Sequence, residues 1–539
     1  MIRFGCASAL IALLFAGACT KQSTTVHSGR NPWTVPGVLR LGEDEEPDSL
    51  NLMFGHNAAT DTATALIYSF LLRYDDKGNY IPDLATAVPT IANGGISPDG
   101  KRIVVHLRRG IVWSDGAPLT AADWLFTYRA VMSPENNVKT RYGWDLIASA
   151  SAPDPFTLVI RLKRPSVEVF GDLAMGGAAY PPMPAHLLAK LPNLNSAEVN
   201  GHPLSSGPFV LQTWNHGASL TFVPNRRYFR GAPKLKKLIW KFVPDVNTLF
   251  NELQTHEVDV YPSVDPNSVS RLSAVVGITV DRRLVAKWRH LGMNLSRPQL
   301  ADVRVRRAIT EAIDFKRIVR TIYHGLDEMA VSDIFPRSWA APSLPPYGYD
   351  PSDARRLLAE AGWKMGSDGV LHKGALRMEL SVYATTGHEE NTQSQVMIQS
   401  MLRPLGIEIA VRNYPGSYLF AMNGPLYQGK YDLEWSVETN APDPDNSGSW
   451  NGAFIPPGGA NTSWLNDPIV NAASAAAAAT FDQSRRKLLY QREEERLREL
   501  LPAAIVSWQT SVTAMNSDLR GYVPAAYLAD SWNAWQWSI

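Results

Sequence analysis

The sequence predicts a mixed α/β protein built from more than one domain. Strand-like and helix-like stretches alternate irregularly along the chain, and no segment recurs at a fixed period, which argues against a solenoid or propeller. A length of 539 residues exceeds what one core supports, and an apolar content of 45% is ample to fill two or three.

In chain order, VLRLG (38–42) has the β-branched and apolar character of a short strand. RIVVHL (102–107) places Ile103, Val105 and Leu107 on one face, the period of two expected of a half-buried strand. After the turn WSDG comes LTAADWLFTYRAVM, where Thr120 caps a helix and Asp123 sits three residues on, near its positive end. This makes Asp123 a helix-start residue. In ADVRVRRAITEAIDFKRIVRTIYHG, apolar residues recur at helical spacing from Val305 to Ile313. Asp302 is the cap and Gly325 the stop, so one amphipathic helix with a solvated arginine face is expected. YDPSDARRLLAEAGW repeats the pattern, with Asp350 as cap, Pro351 at the first position and Gly362 at the end. NAASAAAAATFDQSRRKLLYQREEERLREL reads as helix, its alternating charges as exposed pairs. Pro502 ends it before the strand-like AIVSW.

Charge excludes some partners. The 52 basic and 51 acidic residues leave a net charge of +1 with no basic run, so nucleic acid is not an expected partner. The 16 tryptophans supply apolar faces with a polar handle, mostly for a large core. At the N-terminus, MIRFGCASALIALLFAGACTKQ joins an early cation, Arg3, to an apolar run and then to Gly17, Ala18 and Cys19. This resembles a bacterial lipoprotein signal, with Ala16 where leucine is usual. The resemblance implies that residues 1–18 are removed and that Cys19 is lipidated. The only other cysteine, Cys6, lies inside the signal, which leaves no pair for a disulfide. Residues 19–36 are polar, as a tether would be.

Signatures of catalysis and metal binding are missing. The 11 histidines form no HExxH, and there is no GxSxG, phosphate loop or dinucleotide fingerprint. No enzymatic activity, cofactor or metal is expected. The stretch ETNAPDPDNSG imitates the opening of a calcium loop at Asp443, Asp445, Ser447 and Gly448. However, Phe454 stands where a bidentate glutamate should close the sphere, and Pro444 stiffens the backbone.

LRRGIVWSDGAPLTAADWLFTYR, SSGPFVL and PNRRYFRGAPKLKKLIWKFVPDVNTLFNELQTHEVDV are followed in order by MNLSRPQLADVRVRRAITEAIDFKRIV, YDPSDARRLLAEAGWK and APDPDN. Together, over about residues 37–535, they resemble the extracellular solute-binding proteins of the oligopeptide, dipeptide and nickel type that serve ABC importers. The resemblance implies a two-lobed periplasmic-binding-protein fold of type II, with an additional α/β domain and a ligand cleft between lobes. The first lobe would comprise residues 37–75, 204–285 and 510–539, the additional domain 76–203, and the second lobe 286–509. Hinge closure would capture a peptide or similar polar solute. The partners implied are membrane permease subunits with a cytoplasmic ATPase. The protein would be a monomer, exported and held to the membrane by its lipid, facing the periplasm or exterior.

The resemblance also places candidate ligand contacts. Dipeptide-binding relatives use an aspartate in W-x-x-D-Y-x-D-P for the peptide ammonium. Alignment on DPDN puts Asn440 at that aspartate, Ala441 at the tyrosine and Val437 at the tryptophan, with Glu438 and Thr439 adjacent. Where those relatives carry an arginine for the carboxylate, LSVYATTGHEEN offers Thr385 and Thr386, with His388 near; Tyr418 is a further candidate. Both ends of a charged clamp are thus neutral. A longer peptide held through its backbone and a nonpeptide solute (an oligosaccharide, opine-like metabolite or nickel complex) both remain open, as does a surface receptor without transport.

Overall fold

The computed structural model describes residues 29–175, 179–527 and 530–539. The expected signal and Cys19 lie outside the described residues.

Two long antiparallel strands, Ile278–Met293 and Ala503–Asn516, run side by side through the molecule and join its two lobes. At one end the sheet continues through Val260–Tyr261, Val38–Glu43, Lys237–Phe242, Ser219–Pro224 and Phe209–Asn215. At the other it continues through Leu433–Thr439, Glu379–Thr385 and Glu408–Tyr414. The pairings around Val38–Glu43 and Glu379–Thr385 are parallel, as α/β lobes require. Between the lobes the register slips. Leu284 faces Thr510 and Trp288 faces Trp508, so residues 285–287 stand opposite Gln509 alone. A bulge of this kind interrupts the ladder and bends the strand.

Residues 102–162 hold a separate antiparallel sheet, Arg102–His106, Thr157–Leu162 and Ile147–Asp154. Its inward residues, Ile103, Val105, Leu158 and Ile160, share one apolar cluster with Leu39, Leu238 and Trp240 of the first lobe. The second lobe has its own core around Leu291, Ile309, Leu358, Val382 and Leu433.

Local capping behaves as the sequence implies. Thr120 Oγ1 accepts from Ala122 N at 3.3 Å, and Asp123 Oδ2 accepts from Thr120 N at 2.8 Å, so the helix Ala121–Met132 opens with a reciprocal cap. Two expected helices are each divided. Val303–Ala312 ends at Ile313, whose backbone is extended, and Phe315–Ile322 restarts on Asp314, which accepts from Arg317 N at 2.9 Å. Likewise Pro468–Ala478 and Gln483–Leu500 are separate helices, the second capped by Asp482. Helical periodicity runs across both breaks, and the internal aspartates make them.

The expected solvated faces are also corrected. Arg306 is buried and donates to the carbonyls of Leu300, Ala301 and Leu500, tying the first helix to the end of Gln483–Leu500; burial lowers its pKa to about 10. On Gln483–Leu500 itself Arg486, Glu493 and Glu494 are buried. Charge alternation marked a face packed against the loop 440–450, not a solvated one.

The most enclosed ion pair among the described residues lies at the hairpin of Leu72–Tyr74 and Tyr80–Pro82, and its arginine reaches the C-terminal segment. Arg73 Nε donates to Asp83 Oδ2 at 2.6 Å with both side chains fully buried, and Arg73 also donates to the carbonyls of Tyr68 and Trp532. Removing one partner strands the other charge in the core. Asp83→Ala should therefore destabilise the protein by about 3–5 kcal/mol in denaturant unfolding, and a loss below ~1 kcal/mol would show that Arg73 finds another acceptor.

Candidate ligand-binding site

A polar cavity of about 650 Å³ opens beside the bulge. First-lobe residues Ser263–Asn267 form one wall, and residues 321–327 with Glu389, Glu390 and Gln393 of the second lobe form another. Val285, Lys287, Arg289 and residues 509–512 of the crossing strands make the floor. Alternation along the strand from Val285 explains the floor, because Val285, Lys287 and Arg289 turn to the cavity. Even-numbered Ala286 and Trp288 pack on the opposite face with Phe335, Trp450 and Trp508. One bond crosses between the walls, where His324 Nε2 and Asn267 Oδ1 lie 2.8 Å apart, the imidazole N–H donating.

Arg289 is the enclosed charge of this cavity. Its side chain is 4% exposed, its guanidinium lies 3.7 Å from the centre of the Tyr323 ring, and Asp327 Oδ2 is 3.8 Å from Nε. Asp327 is itself oriented by Ser507 Oγ at 3.1 Å and Thr510 N at 3.2 Å; burial raises its pKa, and Arg289 opposes the rise. Tyr323 is fixed through its hydroxyl, 3.0 Å from Ser394 Oγ.

Two further spaces lie on the opposite face of the crossing strands. A cavity of about 430 Å³ is bounded by Asp76, Lys77, residues 281–283, Phe335 and Arg337. An apolar one of about 600 Å³ lies between Tyr80, Val88, Ile91 and Phe170 on one side and Trp339, Phe481 and Arg486 on the other.

The residues nominated from sequence fall into two groups. Thr385, Thr386 and His388 lead into the helix Glu389–Leu402, whose first two residues line the polar cavity. Thr385 Oγ1 accepts from Asn391 at 3.1 Å, and His388 Nδ1 is 3.4 Å from Glu390. Tyr418 is exposed, its ring against that of Tyr414. The second group lies at the end of Leu433–Thr439. Thr439 faces Lys287 across the ladder, and Ala441 is exposed. Glu438 borders a small space with Trp288, His290 and Trp450; it is open at the surface, yet the surrounding wall desolvates it and raises its pKa, with His290 opposing.

Asn440 is committed to the scaffold. Its Oδ1 accepts from Trp288 Nε1 at 2.7 Å, its Nδ2 donates to the Asp333 carbonyl, and its backbone N donates to Ala286 O at 2.8 Å. One lone pair on Oδ1 and one N–H of Nδ2 are left for a ligand. Arg289, Lys287, Asp327 and Glu389 were not found from sequence. The available signal was the charged pair Lys287 and Arg289 alternating with Ala286 and Trp288, which required recognising LVAKWRHLGM as a strand.

Behind ETNAPDPDNSG lies a buried acidic group. Asp443 is held by Arg486 through two bonds, of 2.5 and 2.9 Å, and accepts from Asp445 N at 3.1 Å. Asp333 accepts from Trp450 Nε1 at 2.8 Å, and Asn446 Nδ2 donates to Glu494 at 3.1 Å. Glu493 is fully buried with neither carboxylate oxygen bonded. Burial, then the neighbouring Asp333, raises the pKa of Glu493 and Glu494 well above the ordinary carboxyl value. No group of side chains able to hold a metal is present among the described residues.

Two lobes joined by paired crossing strands, with a cavity walled by both, define a protein that encloses a ligand. The chain matches the Bacterial extracellular solute-binding proteins, family 5 Middle, over residues 79–458, and it belongs to that family. It is 26% identical over 529 residues to the oligopeptide-binding protein AppA of Bacillus subtilis, covering 95% of this chain and 94% of the relative. The structure of AppA in complex with a nonapeptide superposes with a TM-score of 0.77 at 24% identity, covering 93% of this chain and 99% of that one. NikZ of Campylobacter jejuni in complex with Ni(L-His) superposes with a TM-score of 0.78 at 25% identity, covering 94% and 100%. The protein is a solute-binding component of the ABC-importer class and not an enzyme.

Two predictions arise from this geometry. Asn440→Asp replaces the donor to Asp333 O by a carboxylate oxygen, so it should destabilise the fold by about 1–3 kcal/mol in chemical unfolding; unchanged stability would mean that this amide is not held by the scaffold. The second concerns pH. A carboxyl whose folded pKa is raised keeps its proton after the unfolded chain has lost it. Stability is therefore greatest below the unfolded value, about 4.3, and falls as pH rises toward the folded one. Glu493→Gln removes that penalty, so its melting temperature should exceed the wild type's more at pH 8 than at pH 5. An equal offset at both pH values would remove Glu493 as the titrating group.

Proposed function

We propose that the chain captures a peptide or a similar polar solute in the 650 Å³ cavity and delivers it to a membrane permease energised by a cytoplasmic ATPase. The observation that carries this reading is a polar cavity to which both lobes and both crossing strands contribute, in a chain of the solute-binding family. AppA, to which the chain is similar, is an oligopeptide-binding protein, and this favours a peptide. Residues 285–287 and 509 act as the hinge. The first lobe comprises residues 37–75, 204–285 and 510–539 with the additional domain at 76–203, and the second lobe comprises 286–509. Contacts made to both walls at once exist only when the lobes are closed, so a ligand shifts the population toward closure.

Thr385, Thr386 and His388 form the approach to the cavity, with Tyr418 on the outer rim. Glu438, Thr439 and Ala441 border the opposite face. Export is directed by residues 1–18, and Cys19 carries the lipid that tethers a monomer to the membrane through residues 19–36. No helix among the described residues is long and apolar enough to cross a membrane.

Binding to the native state alone raises stability by mass action, about 2.7 kcal/mol at a ligand concentration one hundred times Kd. Peptides of two to nine residues should therefore raise the melting temperature, and the same peptides should lower the radius of gyration in X-ray scattering. Stabilisation without compaction would remove lobe closure, and no response to any peptide would remove the peptide reading.

A further inference from the structure

Four arginines are buried among the described residues, and they are not equivalent. Arg73 is bonded to Asp83, Arg306 to backbone carbonyls, and Arg486 to Asp443 and Tyr490. The Arg289 side chain donates no hydrogen bond among the described residues, and its Nε is closed off from solvent without a partner. Asp327, at 3.8 Å, is beyond hydrogen-bonding distance of that nitrogen, and its oxygens are turned to Ser507 and Thr510. The Tyr323 ring holds the plane of the guanidinium at 3.7 Å and leaves its N–H edges unspent. A guanidinium presents five donors, and buried donors are nearly always bonded.

We propose that Arg289 binds a carboxylate of the imported solute. This assignment rests on the reading of the polar cavity as the ligand site and specifies the solute as one carrying a free acid. A carboxylate matches the planar fork with two parallel bonds, which a hydroxyl or neutral amide cannot do. Lys287 adds positive charge to the same floor, and Glu389 and Glu390 add negative charge to a wall, so a zwitterion suits the cavity better than a dianion. The charged clamp missing at Thr385 and Thr386 is thereby replaced by one on the crossing strand. Because Arg289 lies two residues past the bulged segment 285–287, it engages the solute close to the axis of closure.

Calorimetry on the full chain tests this with matched peptides of two to five residues, each as the free acid and as the C-terminal amide. The free acids should bind at least tenfold more tightly than the amides. Arg289→Met, which keeps the packing on Tyr323, should bring that ratio near one, and Arg289→Lys should leave an intermediate ratio. Equal binding of acids and amides by the wild-type protein overturns the assignment while leaving solute capture intact, as does a ratio unchanged in Arg289→Met. Failure of both forms to bind overturns peptide capture and this assignment together. The wild-type comparison needs no variant to fold.

Discussion

The structure depends on how one interrupted ladder is held together. Where residues 285–287 bulge out opposite Gln509, the two crossing strands stop satisfying each other, and the backbone of Ala286 must find partners elsewhere. It finds one on each side. Its N–H donates to Ala526 O at 2.7 Å, and its carbonyl accepts from Asn440 N at 2.8 Å. Ala526 belongs to the C-terminal segment packed on the first lobe, and Asn440 ends a strand of the second. A single bulged residue therefore bonds to both bodies, at the place where the sheet is least able to transmit rigidity. The interruption also turns Lys287 and Arg289 to one face and Ala286 and Trp288 to the other. That division separates the polar cavity from the aromatic cluster of Trp288, Phe335, Trp450 and Trp508.

The second constraint is buried charge. A mostly apolar core contains Arg73, Arg306 and Arg486, each hydrogen-bonded to a carboxylate or to backbone carbonyls, and burying charge is tolerable only with such partners. Arg306 closes the end of Gln483–Leu500 by taking carbonyls that the helix leaves open. Arg486 and Asp443 fix the loop 440–448 against the same helix. Glu493 has no such partner, and its raised pKa is the result: the group avoids an unpaired charge by keeping its proton. The Arg289 side chain likewise has no acceptor among the described residues, but it stands on the floor of the polar cavity. This difference makes one group a stability question and the other a binding question.

Much of the fold was legible because its signals are local. Thr120 with Asp123, Asp302 and Asp350 cap helices in the structure as they do in the sequence, and Ile103, Val105 and Leu107 are buried on one face. The two overlong helices were misjudged because apolar spacing continues across Asp314 and Asp482, although an aspartate inside a periodic run is itself a capping signal. The burial of Arg306 and Glu493 was not legible at all, since helical periodicity does not record what packs on a charged face. At the site, the stretch 385–391 was found near the cavity. Trp288 and Asp333 each take one hydrogen bond of the Asn440 amide, a competition with any ligand that only three dimensions reveal.

These constraints limit what a solute must supply to close the lobes. Moving a hinge from an open to a closed majority, 1:99 to 99:1, takes about 5.5 kcal/mol of differential binding. A hydrogen bond to a charged group contributes about 1.5–3 kcal/mol, so a bidentate pair at Arg289, a residue of the second lobe, supplies affinity in the open state as well as in the closed one. The differential must come from contacts to the wall Ser263–Asn267, because contacts to the second lobe alone exist in both states and shift nothing. The 2.8 Å bond from His324 to Asn267 already spans the two walls and favours closure in part. A solute therefore needs one acidic group for the floor and ordinary polar groups for the far wall. Backbone amides satisfy the second requirement whatever the side chains are, which is why a peptide fits a cavity of mixed charge with only one enclosed and unbonded guanidinium.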